Sequence, residues 1–234
     1  MQRQGTGILS SRICAVSRRV GPQEAGVMKP PRIPPMLSTI VQAGLVAVDG
    51  VTFGELNACP VCGGPVSGYD TKKRVFAVIR EGAEERTVRV VVKRFYCRRC
   101  DHIFNADEPF YPDTRIGSPV IDICLSLATI MPVSRTATWL DAMGVVVNRT
   151  SCLLYVREHA HAIPSSDLFG IRMPMSVVAL STLAARAGAV SPVSGADVLA
   201  ACNYPSAFRA EHPQPPAKIP EAIDAKKESE ERNG

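Results

Sequence analysis

Two pairs of cysteines carry the most specific chemistry in this chain. The first reads Cys59-Pro60-Val61-Cys62-Gly63-Gly64, and the second Cys97-Arg98-Arg99-Cys100-Asp101-His102-Ile103-Phe104. A CxxC on a tight turn brings two thiols to one side of a bound ion, and Gly63 and Gly64 let the backbone curl around it. Two such pairs suit tetrahedral Zn2+, with Zn–S bonds of about 2.3 Å. The competing chemistry is thiol–disulfide exchange. That needs a CxxC at a helix start inside a βαβ unit, and the sequence around these pairs has no such pattern. The expected metal ligands are therefore Cys59, Cys62, Cys97 and Cys100. His102 is read as a neighbour of the site rather than a ligand. Four protein ligands leave no position for water, so the expected role of the zinc is structural.

The two pairs must be held together by what lies between them. Val75–Ile79 and Thr87–Phe95 are β-rich, with Val88, Val90 and Val92 alternating against Arg89, Val91 and Lys93. Glu81-Gly82-Ala83-Glu84 supplies the turn. Residues 57–104 thus read as a zinc ribbon built on a β-hairpin, in which the metal replaces a core too small to form unaided. Lys93, Arg94, Arg98 and Arg99 interleave with Phe95 and Tyr96 on the return strand and second knuckle. Cations beside aromatics suit a nucleic acid backbone and its bases, although they also offset the negative charge of a four-thiolate zinc site.

Beyond a polar connector at 105–115, three helices are expected within 116–163. Pro119–Ile130 carries Val120, Ile123, Cys124, Leu127 and Ala128 on one face. Ser134–Met143 points Ala137, Leu140 and Met143 inward and stops at Gly144. Asn148 caps a third helix that runs to about His161. Ser134 to His161 has the spacing of a helix-turn-helix, with Ala137, Leu140 and Val145 expected against Leu153, Leu154 and Val156. Arg149, Thr150 and Ser151 would then meet the major groove. Arg157, Arg135 and the Asn148-capped helix N-terminus would meet phosphates. The alternative is a plain three-helix bundle. His159 and His161 are two apart on the expected helix, about 200° around it, and so do not chelate together.

The fold class expected is small α+β: a four-cysteine zinc ribbon followed by a three-helix helix-turn-helix unit, between flexible tails. Residues 1–36 read as a disordered leader and Pro-rich linker, with Met28 a candidate start. Residues 37–56 read as a short helix and turn. Residues 164–190 read as an uncertain helical segment containing a helix at Ser176–Ala187, and residues 191–234 as a Pro-rich, charged tail.

Composition sets the outer bounds. The 234 residues are 46% hydrophobic and 21% charged, which supports a packed core. The formal charge is +5; zinc held by four thiolates would lower it to about +3. The excess cations gather at the front of the chain and around the cysteine pairs, while 116–163 is balanced. No run of 18 apolar residues is present, so no membrane partner is expected. The N-terminus lacks a continuous apolar stretch, and Cys14, Cys124, Cys152 and Cys202 are scattered singly. Both point to a reducing, cytoplasmic setting.

CPVCGG, the hairpin, RFYCRRCDHIF, YPDTRIGSPVIDICLSLA and the segment through NRTSCLLYVREH together resemble the N-terminal, DNA-binding half of insertion-sequence transposases. The resemblance covers about residues 57–161. It implies a zinc ribbon leading into a helix-turn-helix that recognises element ends, with duplex DNA as partner and possible association with itself or a full-length transposase. Such transposases continue into a ribonuclease-H-like catalytic domain of about 100 residues or more. Here 73 Pro-broken residues follow His161, and Asp167, Asp197 and Glu211 read as scattered surface acids. The expectation is a zinc-binding, sequence-directed DNA-binding protein without strand-transfer chemistry. An adaptor that docks on a polymerase or an intact transposase is the alternative. An enzyme is the least favoured class.

Overall fold

The alternation of Val88, Val90 and Val92 with their neighbours builds the strand on which the rest of the fold is laid. The computed structural model describes residues 32–187 and 192–203. In chain order the elements are α1 (Pro35–Val46), β1 (Thr52–Phe53), β2 (Val66–Glu81), β3 (Glu84–Cys97), β4 (His102–Asn105), α2 (Ser118–Ala128), α3 (Val133–Ala142), α4 (Arg149–Glu158), β5 (Ser165–Leu168), β6 (Ile171–Pro174), α5 (Met175–Ala187) and α6 (Gly195–Ala201).

The expected hairpin is present as β2 and β3, closed by Gly82-Ala83, with Gly82 at φ +67°. Only glycine takes that conformation without strain. The strands run longer than alternation predicts. Residues 67–74 are polar or exposed on both faces and hide their strand character. Pairing with β3 holds them in place, Val66 opposite Cys97 and Thr71 opposite Lys93. The other edge of β3 is shared. β1 pairs parallel to it at Val91 and Val92, and β4 pairs antiparallel from Arg94 to Cys97. β3 is thus the centre of a mixed four-stranded sheet.

Among the described residues the fold is α+β, with six helices, this sheet and a two-stranded sheet of β5 and β6. A zinc-ribbon hairpin followed by a separate three-helix helix-turn-helix unit, as the sequence suggested, is not what forms. The turn between α3 and α4 is stitched to the hairpin. The Arg80 N–H donates to the Gly144 carbonyl at 2.8 Å, the Val146 N–H donates to the Val78 carbonyl at 2.8 Å, and Val145 bridges Ile79. Every residue of α2 from Ser118 to Leu127 is buried, so α2 is a central helix rather than the first of a bundle. The facing of α4 also differs from expectation. Cys152 and Tyr155 are its buried residues, while Leu153 and Leu154 are 57% and 41% exposed.

The C-terminal segment completes the same core. α5 forms where Ser176–Ala187 was expected, and its backbone lies so close to α1 that a Cβ on Gly44 would come within 2.9 Å of the Ser181 nitrogen. The stretch expected to be irregular after 191 contains α6, whose N-cap Ser194 and Asp197 form a capping box. One continuous hydrophobic cluster joins residues from α1 (Leu37, Val41, Leu45) through β2 and β3 (Phe76, Ile79, Val88, Val90, Val92) to α2, α5 and α6 (Leu127, Leu180, Val198). The expected leader as far as residue 31, Cys14 and the expected tail from 204 lie outside the described residues.

Candidate metal centre

The second cysteine pair sits where β3 ends. Cys97 is its last residue, and the knuckle Arg98-Arg99-Cys100-Asp101 turns the chain into β4. Asp101 takes φ +59°, and its N–H donates to the Cys97 carbonyl at 2.9 Å. The first pair lies just before β2 on an equivalent turn. There the Gly63 N–H donates to the Cys59 carbonyl at 2.9 Å with Gly63 at φ +65°, and the Cys59 N–H donates to the Gly64 carbonyl at 2.9 Å. Pairing of Val66 with Cys97 brings the two knuckles face to face. Local turn chemistry shapes each half, and the sheet register joins them.

The four sulfurs lie within 4.8 Å of one another. Cys59 Sγ is 3.5 Å from Cys100 Sγ, and Cys62 Sγ is 3.5 Å from Cys97 Sγ. These separations are far longer than a disulfide bond of about 2.05 Å. They bracket the edge of about 3.8 Å that a tetrahedron with Zn–S bonds of about 2.3 Å requires. The donor set therefore fits a metal ion held by Cys59, Cys62, Cys97 and Cys100. His102 stands beside the site, its Nδ1 hydrogen-bonded to the Cys100 carbonyl and its ring turned towards Phe104. Tyr96 donates its hydroxyl hydrogen to Asp101.

The thiols do not share their protons evenly. Burial pushes the Cys97 thiol up, but the backbone N–H groups of Cys100 and Arg99 and the neighbouring thiols of Cys62 and Cys100 donate to its sulfur and bring it down to about 6. Cys100 moves the opposite way, to about 12, because burial and hydrogen bonding with the other three cysteines both favour its protonated form. At Cys62 the Gly64 N–H favours the thiolate, but burial and the thiols around it win, and the thiol is raised.

The cations named from sequence divide into groups. Antiparallel partners point to the same side of a sheet, so Thr71 with Lys93, Lys73 with Val91 and Val75 with Arg89 share one face of the hairpin. Lys73, Arg89 and Lys93 are exposed there, and Lys93 Nζ lies 5.2 Å from the centre of the Phe95 ring. Arg98 and Arg99 project from the adjoining knuckle, with Arg99 Nη1 3.4 Å from the Cys62 carbonyl. None of these five makes an ion pair among the described residues. Arg94 differs: it is bound by both carboxylate oxygens of Asp70, Nε to Oδ1 at 2.6 Å.

The remaining candidates lie on the helices. Arg135 is in the first turn of α3. Asn148 caps α4, its Oδ1 accepting from the Ser151 N–H at 2.7 Å. Arg149, Thr150 and Ser151 open α4, and Arg157 in its last turn pairs with Glu158 at 3.0 Å. Sequence reasoning overlooked Lys73 and Arg89, although the i, i+2 alternation with Lys93 was there to be extended across the turn. The chain matches no protein-family model, and no curated protein or solved structure matches it significantly.

Proposed function

We propose that the chain is a zinc-stabilised nucleic-acid-binding protein of transposase descent, whose duplex-DNA contact is the cationic face of the hairpin and second knuckle. One observation carries the reading: Lys73, Lys93, Arg98 and Arg99 stand on contiguous structure without an ion-paired carboxylate among the described residues, Arg89 beside them feels only Asp49, which it shares with Arg86, and Arg74, Arg80, Arg86 and Arg94 in the same sheet are each neutralised by an acid. Unpaired cations on a rigid strand attract phosphates. Phosphate contact positions a protein on a duplex and makes binding fall steeply with salt. Zinc, held by the four cysteines, fixes the knuckle that presents Arg98 and Arg99. Sequence direction would fall to side chains at the α4 N-terminus. No strand-transfer chemistry is assigned.

The test is a fluorescence-anisotropy titration of the zinc-loaded chain against a short DNA duplex over a range of salt. Lys93→Ala, Arg98→Ala and Arg99→Ala each reduce the slope of log K against log salt by about 0.9, the value of one phosphate contact. Arg157→Ala, which removes an already paired cation, leaves it unchanged. Absence of binding at about 50 mM salt, where phosphate attraction is strong, overturns the reading.

A second reading is an adaptor docking on a polymerase, another copy of the chain or a full-length transposase. Exposure of Leu153 and Leu154 at consecutive positions of α4 favours it, because exposed apolar side chains that combine into one patch mark contact surfaces. A nuclease-resistant complex lost in Leu153→Ser/Leu154→Ser would support it.

A further inference from the structure

A second meeting of thiols lies away from the metal and does not depend on the DNA reading. Cys124 Sγ and Cys152 Sγ are 3.8 Å apart, although 28 positions of sequence separate the two residues. Cys124 stands on the central helix α2, and Cys152 in the first turn of α4. Both are fully buried. At that distance the two sulfurs touch, with no room for an atom between them. A disulfide bond of about 2.05 Å needs each sulfur to move inwards by about 0.9 Å, the scale of a small rotation about χ1. The helices are held with unequal firmness. α2 is buried along its length and tied on the side away from Cys124: Asp122 Oδ1 accepts from the Tyr111 hydroxyl at 2.6 Å, with His161 Nε2 3.1 Å from the same oxygen, and Asp122 Oδ2 accepts from the Ser176 hydroxyl at 2.7 Å. In α4 only Cys152 and Tyr155 are buried, while Arg149, Thr150, Leu153, Leu154, Arg157 and Glu158 are exposed. An element with so few buried contacts opens locally far more often than the whole fold unfolds. Lifting of α4 bares Cys152 to a small oxidant, and its return sets the altered sulfur against Cys124.

The pair is also polarised. A hydrogen bond from the Cys124 thiol holds the Cys152 thiol below its ordinary range, against burial, while the same bond and burial together raise Cys124. The thiolate is the attacking form of cysteine, so Cys152 is the sulfur that reacts first. With a hydroperoxide as oxidant the chemistry balances in two steps. The Cys152 thiolate attacks one peroxide oxygen: an S–O bond forms, the O–O bond breaks, and the departing oxygen takes a proton and leaves as an alcohol or water. Cys152 is then a sulfenic acid. The Cys124 sulfur attacks the Cys152 sulfur: an S–S bond forms, the S–O bond breaks, and the Cys124 proton leaves with the hydroxide as water. The two thiols give up two electrons, and the hydroperoxide takes them.

We infer that Cys124 and Cys152 form an oxidative modification site, a dithiol that a hydroperoxide closes reversibly into a disulfide and so pins α4 to α2. The test treats the zinc-loaded full chain, under native conditions, with hydrogen peroxide. The product is then alkylated with N-ethylmaleimide in denaturant and digested with trypsin without reduction. Cleavage after Arg115, Arg135, Arg149 and Arg157 places the two cysteines on separate peptides, 116–135 and 150–157. The expected product, from chains that run as monomers on a non-reducing gel, is these two peptides joined, lighter by two hydrogens than their sum and parted by dithiothreitol. Hydrogen exchange at the α4 amides is expected to slow by about tenfold or more on oxidation and to recover on reduction. Cys152→Ala removes both the joined peptide and the slowing. Peptide mapping of the unmodified chain decides the matter even where the variant fails to fold. Overturning results are Cys124 and Cys152 both alkylated after peroxide, Cys152 carried on to a sulfinic acid or joined to a different cysteine, a joined peptide that forms only in denaturant, or a joined peptide with α4 exchange unchanged.

Discussion

The two ends of the β2–β3 hairpin are held by different forces. Towards its turn, Phe76, Ala77, Ile79, Val88, Val90 and Val92 are all fully buried in the main core. Towards the knuckles, the buried cluster shrinks to Cys59, Cys97 and Phe104. Residues 67–73 of β2 are exposed throughout. The turn end buries more apolar area than the knuckle end, where Phe95, Ile103 and Phe104 are the large buried side chains. A metal ion held by the four cysteines would supply there what side-chain packing supplies at the far end. The comparison explains why a chain with an ample core still carries two cysteine knuckles: the main core thins to Phe95 and the half-buried Leu56 and Val66 as it approaches them.

The largest effect should come from taking the metal away. Apparent zinc-binding energies of structural sites are about 10–16 kcal/mol at pH 7. Chelation, or Cys97→Ser, should release the ion and open the amides of 57–74 and 93–105 to hydrogen exchange, while those of 76–79 and 88–92 stay protected. Simultaneous loss of protection at both ends would erase the distinction. The reciprocal experiment is Phe76→Ala. Phe76 is fully buried, with its ring edge-on to Phe110 at 6.1 Å between centroids. Its truncation should cost about 3–5 kcal/mol in urea unfolding. The zinc content of the folded protein should not change. The smallest stability effect belongs to Asp70→Asn. Arg94 and Asp70 are 32% and 41% exposed, so their ion pair contributes about 0–1 kcal/mol. The released Arg94 should instead appear in DNA titrations, steepening the salt slope by about 0.9 if it gains a phosphate.

What could be read from sequence follows the range of the interaction. The cysteine knuckles were legible because each is a four-residue turn whose chemistry is local. The hairpin core was legible from the alternation at 88–92. The helices were found, but their assembly was not. Val120, Ile121, Ile123, Leu125 and Leu127 spread over about 200° of α2, and Asp122 and Ser126 on the remaining side are buried as well, so the helix is enclosed on all sides and reading only one face missed it. Treating 134–161 as a self-contained motif missed the backbone hydrogen bonds from Val78 and Arg80 that fasten the α3–α4 turn to β2. The Ser194–Asp197 capping box was readable and was passed over under the weight of nearby prolines. β5 and β6 were concealed because their turn, Phe169-Gly170, takes φ of +54° and +77°, a conformation that Phe rarely advertises. The angular argument about His159 and His161 assumed a helix that in fact ends at Glu158. Beyond that end His159 stacks on Tyr111 with centroids 5.3 Å apart, and His161 reaches the same hydroxyl. Tyr111, Asp122, His161 and Ser176 come from four separate stretches, so no short motif could have announced them.

The seam between α1 and α5 has a consequence for synthesis. Gly44 and Ser181 meet almost backbone to backbone, yet 137 residues of chain (181 − 44) separate them. At about 5–20 residues per second, a ribosome takes about 7–27 s to make that intervening stretch. During that interval Leu37, Val41 and Leu45 have no α5 to cover them. The first helix among the described residues is thus left without this neighbour until the chain has grown past Ser181, and the nascent chain must shelter a greasy stripe throughout that interval.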